Sequence, residues 1–433
     1  MKTLTKAATL TILTLIFTSS AFAQWLLIPM DGKQTNHLKA YGLTYWTLQA
    51  PREYRAQWLL NYRCGSFLLV DQQEVRQKAL AMEVYFEPIS DADWTAIKQE
   101  IDNSNMDEIL LEKAPKVAVY APSEDSPYRD PWDDAVKLVL NYAEIPYTIL
   151  WDKEVLAGEL EAKEYDWLHL HHEDFTGQHG KFYSVYKNAV WYQQRARLFE
   201  QAAAEAGYSL VRKHKAVVAQ AIQDYVVRGG FMFAMCSAPE TLDIALSTKG
   251  GEVDIVAPEL DGTPIDPSYR SKLDFKRTFS FENFNLQTNP NIYEFSDIDN
   301  PEPSLNPLTG EEDFVLFEFA AKHDPIPTML TQDHVGKVRG FLGQTTSFNK
   351  KTIRDTVTIL GDIEGSNYAK YIHGKLGKGT FTFLGGHDPE DYRHTVGEGD
   401  NPTDLNLHKD SPGYRLILNN VLFPAAKKKP QKT

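Results

Sequence analysis

Cysteine is scarce in this chain: Cys64 and Cys236 are the only two among 433 residues. That excludes a disulfide-stapled small fold and a zinc cage built from cysteine alone. Cationic side chains are outnumbered, 45 Lys and Arg against 59 Asp and Glu, for a net charge of −14. A phosphate backbone is gripped by a Lys/Arg surplus on one face, so the balance argues against nucleic acid as a partner. No long apolar run occurs beyond the N-terminus, so no membrane span is expected. What is there is ordinary for a globular protein, 42% hydrophobic and 24% charged. The length suffices for a large core, in two domains or in one domain with insertions.

The N-terminus reads as a targeting segment. Lys2 and Lys6 precede an apolar stretch over 7–18, and Ala21-Phe22-Ala23 is a small-x-small cleavage site. Residues 1–23 are therefore expected to be a signal peptide, leaving a periplasmic or secreted chain that starts at Gln24. Loss of the two lysines takes the net charge from −14 to −16. Both thiols then meet an oxidising compartment, where Cys64 and Cys236 either pair or stay free. Export also weighs against ATP-dependent synthesis, because ATP is scarce outside the cytoplasm.

Strand-like and helical patterns alternate along most of the chain. Residues 25–29 and 57–62 read as strands around a helix over 36–48, and 116–121 and 146–151 as strands around a helix opened by Asp130-Pro131. Further strands are expected at 165–171, 231–235, 338–343, 356–360 and 379–384. Helical regions are expected over 181–206, 215–227 and 415–422. This alternation implies an α/β fold, a mostly parallel sheet with helices on both faces. The expected organisation is an N-terminal α/β segment over 24–115, a main α/β domain over 116–424, and a basic disordered tail over 425–433. Scattered prolines, glycines and acids over 250–327 mark an irregular insertion, with an edge hairpin near 279–284, lying over the carboxyl edge of the sheet.

Three segments carry candidate chemistry. Cys236 follows an apolar strand and precedes Pro239, the layout of a strand-to-helix elbow. A thiol at a helix N-terminus is activated by the helix dipole; a buried, inert core cysteine is the competing reading. His387 follows the apolar strand 379–384, with Asp388 and Glu390 close by to orient its ring as a base. His169, His171, His172, Glu173 and Asp174 end another strand, with His169 and His171 on one face and His172 on the other. That cluster permits a metal but matches no standard zinc spacing, so no metal is assigned. His171, His172, Glu173 and Asp174 are instead expected to line a ligand pocket. Tyr183, Tyr186, Trp191 and Tyr192 offer an aromatic platform, whereas Tyr45, Trp46 and Trp167 read as core. The expected ligand is a small molecule, peptide or sugar. No cofactor is expected, and the oligomeric state is open.

The elbow at Cys236 followed by His387-Asp388-Pro389-Glu390 resembles the class I glutamine amidotransferase-like, flavodoxin-like α/β fold, over roughly 116–424. The resemblance implies Cys236 as nucleophile, His387 as base, and Glu390 or Asp388 as its orienter. Three differences stand out. Ala234 and Ala238 flank the elbow where that family has glycine. Asp388 separates His387 from Pro389, and residues 172–177 stand where the family has a glycine-rich oxyanion loop. Residues 36–42, 59–63 and 385–392 also resemble exported bacterial proteins often labelled asparagine synthetase B. True synthetases of that name need an N-terminal Cys and a Ser-Gly-Gly pyrophosphate loop. This chain has neither once it starts at Gln24, so only the fold is carried over. The reading is thus an amidotransferase-like hydrolase of an amide or related acyl bond, with a non-catalytic binding protein as the alternative. N-terminal sequencing of the processed protein should begin at Gln24; a product retaining Met1 would overturn the export reading.

Overall fold

The computed structural model describes residues 24–123, 128, 134–299, 313–339, 347–387, 389–390 and 403–427. The expected signal peptide and Asp388 lie outside them. Five short strands build a first sheet: β1 (Trp25–Ile28), β2 (Ala56–Leu60), β3 (Ser66–Val70), β4 (Glu87–Ile89) and β5 (Asp107–Leu111), in the order β4-β1-β3-β2-β5. Every pairing in it is antiparallel. The expected strand–helix–strand unit over 25–62 is therefore not a parallel crossover. β1 and β2 both pair with β3, which the sequence reading missed because Cys64 and Gly65 make a tight left-handed turn directly before it.

The second sheet holds the candidate residues. Its strands are β6 (Val117–Tyr120), β7 (Tyr147–Leu150), β8 (Trp167–Leu170), β9 (Phe231–Met235), β10 (Phe314–Leu316), β11 (Lys337–Val338), β12 (Phe348–Asn349), β13 (Thr358–Asp362), β14 (Tyr368–Leu376) and β15 (Gly379–Leu384). They run in the order β11-β10-β13-β14-β15-β9-β8-β6-β7, with β12 on β14. The block from β15 to β7 is parallel, and the rest is antiparallel. The sheet is mixed, which corrects the expectation of a mostly parallel one. The longest strand, β14, escaped the sequence reading because Lys370, His373 and Lys375 break its apolar pattern, yet Lys370 and His373 are buried.

Strand composition explains the layering. β9 is apolar throughout and buried throughout, as a parallel strand covered on both faces must be. One face, with Phe231, Phe233 and Met235, packs on the helices His37–Leu48, Ala135–Tyr142 and Pro412–Leu422. Those helices also cover Leu26, Ile28 and Trp58 of the first sheet, so they form a shared middle layer. The other face, with Met232 and Ala234, packs on the helices Val211–Arg228 and Ala238–Ser247. The remaining face of the first sheet, with Leu27, Leu59 and Leu68, is closed by the helix Asp91–Asn103.

The described residues of 250–327, expected as an irregular insertion over the carboxyl edge, contribute to the core. Phe279, Phe281, Phe284, Phe295 and Ile298 are core residues, and Phe279 sits 5.2 Å from Phe381 of β15. In place of the hairpin expected near 279–284, Phe281 forms an isolated antiparallel bridge to Ile353 and Leu286 forms another to Ser296, and β10 from the same stretch joins the sheet. Of the tail expected over 425–433, Ala426 bridges Leu111 of β5, and 428–433 lie outside the described residues. Asp243 anchors the stretch, accepting from the backbone N–H of Phe279 (2.6 Å), Ser280 (2.8 Å) and Phe281 (2.9 Å). Burial nevertheless pushes its carboxyl up to about 6, against those hydrogen bonds. A raised folded value means that the folded state binds the extra proton, so this group's contribution is full below about pH 4 and lost as pH rises through 6. The stability difference between wild type and Asp243→Asn should therefore change with that slope between pH 4 and 6, by roughly 3 kcal/mol. Denaturant titrations across the window check it; a pH-independent difference would contradict the assignment.

Candidate active site

The parallel register brings the candidates together. Leu384 of β15 is abreast of Met235 of β9, and Leu170 of β8 is abreast of Ala234. One to three steps past those pairs come Cys236, His172 and the Gly386-His387 turn, all at the carboxyl edge, where open α/β sheets bind ligands. A backbone bond extends the register: Cys236 N–H donates to the Gly386 carbonyl at 3.0 Å.

Cys236 is held at φ +56°, a left-handed conformation that costs an L-residue roughly 1–2 kcal/mol. The chain turns there from β9 into the helix Ala238–Ser247, with Pro239 in its first turn. The side chain is buried, and both cysteines are free thiols, so no bridge ties Cys236 to Cys64. Three imidazoles pile up beside it. The His171 and His172 rings stack at 3.6 Å, His172 and His387 lie 3.9 Å apart, and His171 and His387 5.1 Å. The expectation that His172 takes the opposite face from His171 is corrected: φ +54° at His172 folds its ring back onto its neighbour.

Asp134 was not foreseen. It caps the helix Ala135–Tyr142 by accepting from Val136 and Lys137 N–H, and it accepts from His171 Nδ1 at 3.2 Å. Burial would raise its carboxyl; the His171 hydrogen bond and the Lys137 charge outweigh that and hold it well below the usual carboxylate range. Its signal in the sequence was an Asp directly before Ala135-Val136, a helix cap hidden by the more conspicuous Asp130-Pro131. His169 donates toward the Phe233 carbonyl at 3.0 Å, and burial lowers its pKa to about 3, so it stays neutral.

The two acids expected to line a ligand pocket also hold the loop and its surroundings in place. Asp174 accepts from Thr176 N–H (2.7 Å) and Gly180 N–H (2.8 Å). The Glu173 carbonyl accepts from Thr241 Oγ1 at 2.7 Å and Ser237 Oγ at 3.3 Å, tying the loop to the elbow helix. The Glu173 carboxylate lies 3.6 Å from Lys215 Nζ. Lys215 is fully buried and donates to Asp152 (3.0 Å) and the Tyr120 hydroxyl (2.9 Å), while Tyr120 donates to Asp152. Nothing in the sequence marks this cluster, whose members come from four distant segments. Glu390, at φ +64°, is 3.5 Å from His408 Nδ1.

Of the expected aromatic platform, Tyr192 is buried, and Tyr183, Tyr186 and Trp191 are partly so, around Phe182. Tyr293, from the 250–327 stretch, joins them 5.8 Å from Phe182. Tyr293 is exposed as a residue, yet desolvation around its hydroxyl and then the charge of Cys236 raise its pKa. Trp167 and Tyr45 are core as expected, while Trp46 is partly buried under Arg52.

No known family profile and no curated protein matches the chain. Among solved structures, it aligns with two cytoplasmic proteins of Salmonella typhimurium. STM3548 has 10% identity and a TM-score of 0.33, and STM1381 has 12% and 0.35; each alignment covers 72% of this chain and 100% of the other. It also aligns with Gan42B, a GH42 beta-galactosidase, at 11% identity and a TM-score of 0.25, over 65% of this chain and 28% of that enzyme.

The Lys215 cluster generates a test. Removing one partner of a buried ion network strands the others, at about 3–5 kcal/mol. Lys215→Met should destabilise the protein by that order, and adding Asp152→Asn should recover part of it. Chemical denaturation of the single and double variants checks this; additive losses would show that the two groups are not coupled.

Proposed function

We propose that this chain is an exported hydrolase of glutamine amidotransferase-like build, which cleaves an amide or related acyl bond through Cys236. The observation that carries the reading is the strained turn at φ +56° that sets the Cys236 thiol between β9 and a helix N-terminus. Strain of this kind persists where surrounding structure enforces it, and it gathers at reacting groups. The topology supports the fold assignment. Numbered along the chain, the parallel strands β6, β7, β8, β9 and β15 are arranged 2-1-3-4-5, the flavodoxin-like order. The crossover helix after β6 lies on one face and the helices after β8 and β9 on the other, as that winding requires.

In this reading His387 takes the thiol proton and the Cys236 thiolate attacks the substrate carbonyl carbon. The helix dipole favours both the thiolate and the oxyanion that forms. The C–N bond breaks as His387 returns the proton to the leaving nitrogen, which leaves a thioester on Cys236. Water, deprotonated by His387, attacks that thioester and releases the acid and the thiol. His171 and His172 wall the cleft beside the base, and Asp388 or Glu390 serves to orient it. The aromatic rim of Phe182, Trp191 and Tyr293 favours one other reading, a non-catalytic sugar- or peptide-binding protein on the same fold.

Alkylation kinetics separate the two. Iodoacetamide should modify Cys236 in the folded protein near neutral pH, and His387→Ala should slow that modification by roughly tenfold or more. Cys236→Ala should abolish hydrolysis across a panel of amide substrates, glutamine included, without changing the unfolding midpoint. A Cys236 that reacts only after denaturation would leave the binding reading alone.

A further inference from the structure

The same cluster brings together soft-metal donors. Cys236 Sγ and one ring nitrogen each from His171 and His172 lie within 4.8 Å of one another. His171 Nδ1 is committed to Asp134 at 3.2 Å. That leaves Nε2 as its donor atom, and Nε2 is buried with no hydrogen-bond partner among the described residues. A carboxylate behind the far nitrogen of a histidine is the arrangement that fixes the tautomer and raises the basicity of a metal-ligating imidazole. A buried polar atom left without a partner is otherwise a cost to the fold.

We propose that His171 Nε2, His172 and Cys236 Sγ bind a thiophilic divalent cation of the zinc class, with Asp134 as the positioning carboxylate. Thiolate plus imidazole is the donor chemistry that selects zinc over magnesium or calcium. Zinc–sulfur and zinc–nitrogen bonds of about 2.3 and 2.0–2.1 Å place tetrahedral donors roughly 3.5 Å apart. The donors here lie within a wider 4.8 Å limit, so binding requires them to draw together. Binding displaces the Cys236 thiol proton to solvent and forms a metal–sulfur bond. The sulfur lone pair that would attack a carbonyl is then held by the metal, so metal occupancy and nucleophilic attack exclude each other. The cation is a reversible cap on the thiol. The adjacent trio Asp134, His169 and His171 shares His171 with this set, and Asp134 already engages the His171 Nδ1.

This inference concerns the residues of the proposed active site, but its test does not require turnover. The full chain, reduced and free of metal, is titrated with Co²⁺ alone and then with Zn²⁺. The expected result is a near-ultraviolet cobalt–thiolate band that saturates at one metal per chain and is displaced by Zn²⁺. Cys64→Ala should retain the band and Cys236→Ser should lose it. His171→Ala should weaken binding at least tenfold, and Asp134→Asn by roughly 10–100-fold with the fold intact by circular dichroism. A band absent from the wild type, or kept in Cys236→Ser, overturns the site. Iodoacetamide separates this proposal from the catalytic one. Alkylation of Cys236 that Zn²⁺ does not slow sinks the metal site and leaves the nucleophile. A cobalt–thiolate band on a Cys236 that resists alkylation without metal sinks the nucleophile and leaves the metal site.

Discussion

Parallel registration of β8, β9 and β15 is the constraint on which the site depends. Parallel strands in register end at the same edge, so whatever follows them is delivered to one place. Met235, Leu384 and Leu170 finish their strands within a residue of one another. The hydrogen bond from Cys236 N–H to the Gly386 carbonyl carries the pairing one step beyond the sheet. Displacing β15 by a single residue would break that bond and move His387 away from His172, because side-chain direction along a strand reverses with every residue.

Around that edge, buried polar groups hold the loops in shape. Asp134 orients His171 from one side. Glu173 binds the elbow helix through its carbonyl and Lys215 through its carboxylate. Burying charge is unfavourable unless it is paired. Lys215 is boxed by Trp151, Phe175 and Phe199 as well as by Asp152, so cation–aromatic attraction adds to its pairing. Left-handed backbone at His172, Cys236 and Glu390 shows where this framework has forced the chain. A single arrangement of thiol and imidazoles results, and it suits either an attacking sulfur or a metal-bound one.

Much of the α/β alternation was legible because it rests on local patterning. The apolar runs at 231–235 and 379–384 emerge as strands with those same bounds, and Cys236 and His387 follow them as expected. Strands whose burial depends on distant partners were not legible. β3 was hidden behind a turn, and β14 carries lysines and a histidine that only tertiary packing can cover. The aromatic segment 279–284 was expected as an edge hairpin within an insertion, yet its side chains fill the core beside β15, where Asp243 gathers its backbone N–H groups.

The residue types available to the cleft were set by the sequence alone: one thiol at a helix start, an imidazole after the last apolar strand, and a histidine-rich strand end. Those follow from short-range periodicity and from the chemistry of each side chain. Their mutual distances were decided by the tertiary structure. The strand order 2-1-3-4-5 places β8 next to β9 and β9 next to β15 although long segments separate them in the chain, and the left-handed turn at His172 swings a ring that strict alternation would send to the other face. Asp134, Lys215 and Asp152 enter the site's framework only through folding, since hydrogen bonds and ion pairs between remote segments leave no periodic trace in a sequence.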